Sequence, residues 1–285
     1  MKISVCRPLG LISAACLCVA SVSFGAPTTA VQLISGGGDN GGAYINSSEG
    51  GIYTSPYQMS VGGTITGNSV SAGTSVPLIC DDFADNINVG EFWSANVTDL
   101  AQLTGGTNTG LNVYYGTSIH PLPNGPFGLN GGYTQTELYV AAASLAVQIL
   151  QAPTGADAPE LSLALWEIFQ PQTVKDDALK TNYNSQATID AVNTYYTDAL
   201  SLATTGGTGG TPLSGTQLEV KTGWDIEIYT PVAGTQRPVS DGAPQEFLGG
   251  THVPEPSTWA VLGFDFVGAG IVGLYFRRRS SRVRH

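Results

Sequence analysis

Residues 224 to 230 read WDIEIYT, in which Trp224, Ile226 and Ile228 alternate with Asp225 and Glu227. A period of two puts the apolar side chains on one face and the acids on the other, the pattern of a half-buried strand. What precedes this strand sets the fold class. Thr134 and Glu137 have the spacing of a capping box, followed by Leu138, Ala142, Leu145 and Ile149 on one helical stripe. Asp157 with Glu160 is placed to cap a second helix carrying Leu161, Leu165 and Ile168 and ending before Pro171. Ile189, Val192, Tyr196 and Leu200 mark a third. Further upstream, 31–34, 52–61, 76–80 and 111–115 are strand candidates separated by Gly, Asn and Ser clusters. The order of strands, three helices and a returning strand predicts an α+β body, a β-rich domain with a helical insertion or lobe. Stretches 36–42, 204–212 and 232–250 read as loops.

The two ends of the chain have a different character. Residues 1–7 carry two cations, 9–22 are apolar, and Ser23-Phe24-Gly25 places small residues where a signal peptidase cuts. This predicts a signal peptide over 1–25. At the other end, Val253-Pro254-Glu255-Pro256-Ser257 leads into an apolar run, 259–276, that would reach about 27 Å as a helix, close to the hydrocarbon thickness of a bilayer. Arg277, Arg278 and Arg279 follow and would hold that end among cytoplasmic headgroups. The expected topology is therefore a single transmembrane helix with the body outside and a basic tail, 277–285, inside. Asp265 lies within the span, where an acid costs about 3 kcal/mol on insertion scales. The organisation expected is a signal peptide (1–25), a secreted body (26–250), a motif and linker (251–258), the span and the tail.

A signal peptide, Val-Pro-Glu-Pro-Ser-Thr, a short apolar helix and an Arg cluster together resemble the PEP-CTERM sorting signal of bacterial surface proteins. The resemblance covers residues 253–284. It implies recognition by an exosortase, a membrane-embedded processing transpeptidase, and passage from an inner-membrane precursor to the cell surface or an extracellular exopolysaccharide matrix. Asp265 departs from the usual apolar helix. The signal bears on destination, so the molecular role has to come from the body.

Between the two ends stand four cations, Lys175, Lys180, Lys221 and Arg237, against twenty acids, a formal charge of −16. Such a surface repels nucleic acid and other polyanions. The body has no GxSxG, HExxH or phosphate loop, and no His/Cys cluster with metal spacing. We therefore expect no enzyme, no cofactor and no metal. Asp81, Asp82 and Asp85, with Asn86 and Asn88, could offer oxygen ligands to Ca²⁺, but they lack the EF-hand spacing and read as an acidic, solvated turn after a strand. His120 reads as a loop residue. Tyr114, Tyr115, Tyr195 and Tyr196 are the aromatics on which a glycan-binding role would draw.

Three of the four cysteines fall in the signal peptide, which leaves Cys80 as the body's one thiol. It can be buried and inert, paired with another chain, or reactive. Val76, Leu78 and Ile79 before it favour burial. The reactive alternative has a family behind it. Cys80-Asp81-Asp82-Phe83 after an apolar strand, a central helix over 138–151, and Ala164-Leu165-Trp166-Glu167-Ile168-Phe169 resemble the layout of bacterial surface thioester domains. In those adhesin modules a Cys and a Gln form an internal thioester. Where they place the Gln, four residues before Trp, this chain has Ser162, which supplies no acyl group, and Gln148 and Gln151 lie a helix away. The resemblance thus implies the fold more than the chemistry. The function expected is a structural or adhesive surface protein delivered by its C-terminal signal, with a Cys80 covalent adhesin or a glycan-binding module as alternatives.

Overall fold

A computed structural model describes residues 28–36, 44–47, 50–82, 87–103, 113, 132–170, 174, 184–238 and 244–253. Six strands form a closed antiparallel barrel in the order β1, β4, β7, β10, β9, β8. They are β1 (Thr28–Ser35), β4 (Tyr57–Gly63), β7 (Thr74–Cys80), β8 (Phe92–Asp99), β9 (Trp224–Pro231) and β10 (Phe247–His252). Two small hairpins, β2 (Tyr44–Ser47) with β3 (Gly50–Tyr53) and β5 (Ile65–Thr66) with β6 (Ser69–Val70), stand apart from it. After β8 the chain leaves the barrel through a 3₁₀ turn (Leu100–Gln102). It then runs through α1 (Gln135–Gln151), α2 (Ala158–Phe169), α3 (Gln186–Thr205) and α4 (Gly215–Thr222). It re-enters at β9, which pairs directly with β8. The helices are therefore an insertion between two neighbouring strands, four rather than three among the described residues.

The barrel strands alternate between two cores, as a period of two requires. Val31, Leu33, Tyr57, Met59, Leu78, Cys80, Trp93, Ala95, Tyr229 and Phe247 pack together inside the barrel. Phe247 stacks on Trp93 with ring centroids 6.1 Å apart and meets Tyr57 edge-on at 5.8 Å. The residues between them, Ile79, Ile226, Ile228 and Leu248, point the other way and join the core of the helices. Gly249 keeps β10 thin at this wall, because a Cβ there would lie 2.5 Å from Leu78 Cδ2 and 2.9 Å from the Tyr229 ring.

Helix α1 begins at the expected capping box, with both reciprocal hydrogen bonds formed between Thr134 and Glu137. It does not show one buried stripe. All of its residues except Glu137, Gln148, Leu150 and Gln151 are buried, because α2, α3 and α4 and strands β7 and β10 surround it. The run Ala141-Ala142-Ala143 lets those neighbours approach closely. Asp157 stands at the N-cap of α2 but makes no side-chain cap bond, and Pro159 in the first turn removes a donor that would need one. The stretch 52–61 is not one strand, being broken at Thr54–Pro56 between β3 and β4. The stretch 232–250 is not all loop, since its end is the start of β10, which continues to His252, past the expected limit of the body at 250.

Candidate strand 111–115 lies outside the described residues apart from Val113. So do the signal peptide and the expected span, 259–276. Among the described residues no helix is long and apolar enough to cross a membrane.

Candidate functional site

Of the residues singled out above, Pro254, Glu255, Pro256, Ser257, Arg277, Arg278 and Arg279 lie outside the described residues, as do Asp85, Asn86, His120, Tyr114 and Tyr115. Val253 is described. It is half exposed, and its N–H donates to the carbonyl of Gly223 at 2.8 Å. Tyr196 is buried, and Tyr195 is partly buried against the helical core. The Asn88 side chain donates to Glu91 at 3.0 Å.

Cys80 is the last residue of β7 and is fully buried inside the barrel. Its N–H donates to Ser55 Oγ at 3.0 Å and its Sγ to the carbonyl of Asp82 at 3.0 Å. The indole of Trp166, from α2, donates to the Cys80 carbonyl at 2.8 Å. The strand bearing Cys80 and the helix bearing Trp166 thus meet. Ser162, one turn before Trp166, is buried with its hydroxyl donating to Ala158. Gln148 is exposed and bonded to the Ser144 carbonyl. The carboxamide that does approach the thiol is Gln245, whose Nε2 donates at 2.9 Å to the same Asp82 carbonyl.

Burial, and behind it the carboxyls of Asp82 and Asp81, pushes the Cys80 thiol well above its ordinary range. A protonated thiol donating to a carbonyl is a packed side chain, not a nucleophile. Tyr57, beside it, is pushed up by burial and by Cys80.

The acids after Cys80 are not a solvated turn. Asp81 and Asp82 are both fully buried. The cause is the register of β7 with β10, which pairs Cys80 with Phe247 and Ile79 with Leu248. One step on, the Asp81 N–H donates to the Glu246 carbonyl at 3.4 Å, so the two acids stand opposite each other on the face that looks at the helices. Glu246 is also fully buried. Tyr139 of α1 donates to its Oε1 at 2.5 Å, and Thr230 of β9 donates to its Oε2. Gln170, just past α2, donates to Asp82 Oδ1 at 2.9 Å. Three buried carboxyls therefore collect where the end of β7, the start of β10, α1 and α2 converge. Burial first, then Glu246 and Asp82, pushes Asp81 well above the usual carboxylate range.

Sequence reasoning missed Glu246, Gln245, Thr230, Tyr139 and Gln170. The available signal was Glu246 directly before Phe247-Leu248, an acid at the mouth of an apolar pair, which the reading of 232–250 as loop concealed.

A second acidic group has carboxylate oxygens of Asp99, Glu219 and Asp225 within 4.8 Å of one another. Burial pushes Glu219 up to about 7; the Ile226 N–H, donating at 3.3 Å, opposes the shift, and Asp99 and Asp225 add to it. No protein family, curated protein or solved structure matches this chain.

Proposed function

We propose that this chain is an exported bacterial surface protein, sorted through its C-terminal Pro-Glu-Pro signal by an exosortase, whose body serves a structural or adhesive role in the envelope or its exopolysaccharide matrix. The observation that carries the reading is where the signal starts. Val253, the last of the described residues, is tied to the body through the Gly223 carbonyl, and the sorting motif begins with it. In sequence the Pro-Glu-Pro segment follows the last barrel strand, which ends at His252, with only Val253 between them. The acidic, cation-poor surface suits a protein that stays soluble outside the cell. The same composition sets nucleic-acid partners aside. Signal peptidase and the inner membrane would act on the precursor. The burial of the Cys80 thiol, and Ser162 in place of a glutamine, support a non-covalent role over a thioester adhesin.

The test is processing in cells that carry an active exosortase. The wild-type chain should lose its tail, while replacing Pro254, Glu255 and Pro256 with Ala, or deleting the exosortase, should leave the tail attached and the protein in the membrane. A wild-type chain that keeps its tail in such cells would be a plain membrane anchor and would end the sorting proposal.

A further inference from the structure

We propose that Asp81 and Glu246 form a proton-sharing carboxyl pair that clasps the β7–β10 seam to helix α1, so that the barrel is closed there only while one proton is held between them. The inference stands apart from the route of export.

The geometry leads to it in three steps. First, the pair sits at the barrel's shortest seam. β7 and β10 are joined by two residue pairs, Cys80 with Phe247 and Ile79 with Leu248, whereas the other edge of β10 is paired with β9 from Phe247–Tyr229 through His252–Trp224. Asp81 and Glu246 extend that seam by one backbone bond. Second, both acids are fully buried and directly opposite each other, where two like charges repel without water to screen them. Third, their partners differ. Glu246 accepts from Tyr139 and Thr230, the arrangement of an ionised carboxylate. Neither oxygen of Asp81 meets a donor among the described residues, although its carboxyl adjoins that of Glu246. Two carboxylates are acceptors only, so a proton on Asp81, donated to Glu246, is what makes the contact favourable.

Among the described residues no cation lies beside the pair. The groups around it are Cys80 and Asp82 from the β7 end, Gln245 before β10, Thr230 on β9, Tyr139 on α1, and Trp166 and Gln170 on and after α2. Among the described residues the only basic side chains are Lys221, Arg237 and His252. Lys221 and His252 are exposed, and Arg237 donates to the carbonyls of Gly234 and Gln236.

The sign of the pH dependence follows. A carboxyl whose pKa is raised on folding contributes stability that is complete below its unfolded pKa, about 4, and is lost as pH rises through the folded value. Each pH unit above that value lowers the folding equilibrium constant about tenfold for this one site.

Urea unfolding of the full chain from acidic to alkaline pH tests the clasp, with Asp81→Asn and Glu246→Gln alongside. The wild-type midpoint should fall as pH rises, and either variant should remove that part of the fall, since the amide keeps a donor between the two side chains without a titrating proton. Parallel pH profiles for wild type and Asp81→Asn would overturn the proposal. So would stabilisation by added Ca²⁺ that Asp81→Asn abolishes, because a metal would then join the pair. If neither variant folds, infrared spectroscopy of the chain in a Glu219→Gln background decides: a protonated-carboxyl band persisting at neutral pH supports the clasp, and its absence refutes it.

Discussion

The indole N–H of Trp166 donates to the carbonyl of Cys80 across 2.8 Å, joining the middle of the inserted helices to the last residue of a barrel strand. Both residues are fully buried, so this bond and the ring around it fix how α2 sits on β7. Trp166→Phe removes the donor, leaves a buried carbonyl short of its partner and opens a small void. It should cost about 2–3 kcal/mol, read as a lower denaturant midpoint with an unchanged slope. A loss within about 0.5 kcal/mol would mean that the helices are held to the barrel by other contacts.

Cys80 should behave as a core residue. Cys80→Ala should cost about 1–2 kcal/mol through lost packing inside the barrel, and iodoacetamide should label the thiol slowly in the native protein and readily after unfolding. The intact mass of the body should be that of the free thiol and free carboxamides, unaltered by methylamine. A mass short by one ammonia and restored by methylamine would make Cys80 an acylated residue, and Gln245→Glu would then identify the donor, since Gln245 is the carboxamide beside it.

Glu219 titrates near neutrality by virtue of its position. Its pKa, pushed up to about 7, lies above the unfolded value near 4.3, so its contribution to stability is complete in acid and disappears as pH rises through about 7. Because the side chain is partly exposed, water screens the effect and the change is smaller than for a buried acid. Glu219→Gln should flatten the stability profile between about pH 5 and pH 8. Carboxyl NMR should place the Glu219 midpoint well above that of an ordinary glutamate; a midpoint near 4 would refute the assignment.

Gly215, the first residue of α4, is a glycine for reasons of space. A Cβ there would fall 2.1 Å from the carbonyl oxygen of Leu100 in the 3₁₀ turn, and a backbone atom cannot move aside as a side-chain tip can. Ala is the better helix former by about 1 kcal/mol, yet Gly215→Ala should destabilise by about 2 kcal/mol or more, because the overlap outweighs propensity. Thermal unfolding of the variant checks the sign.

Features set by neighbours along the chain were legible in the sequence. The Thr134–Glu137 capping box forms because its partners are three residues apart, and 224–230 is a strand with Ile226 and Ile228 on one buried face because alternation depends only on backbone period, although Tyr229 on the other face is buried too, inside the barrel. The interruption of the strands by a helical segment followed from the same local patterns, and the charge and apolar run at the two ends are properties of composition. Contacts between distant segments decided the rest. Nothing in Phe247-Leu248-Gly249-Gly250 favours a strand by itself; it is one because it fills the gap between β7 and β9 and closes the barrel. The stripe on α1 told of one buried face, but three helices and the sheet cover nearly all of it. Asp81 and Asp82 looked solvated because acids after a strand usually are. They are buried because a strand that begins some 160 residues later brings Glu246 opposite Asp81, and no short-range pattern encodes which two carboxyls a closing barrel will force together.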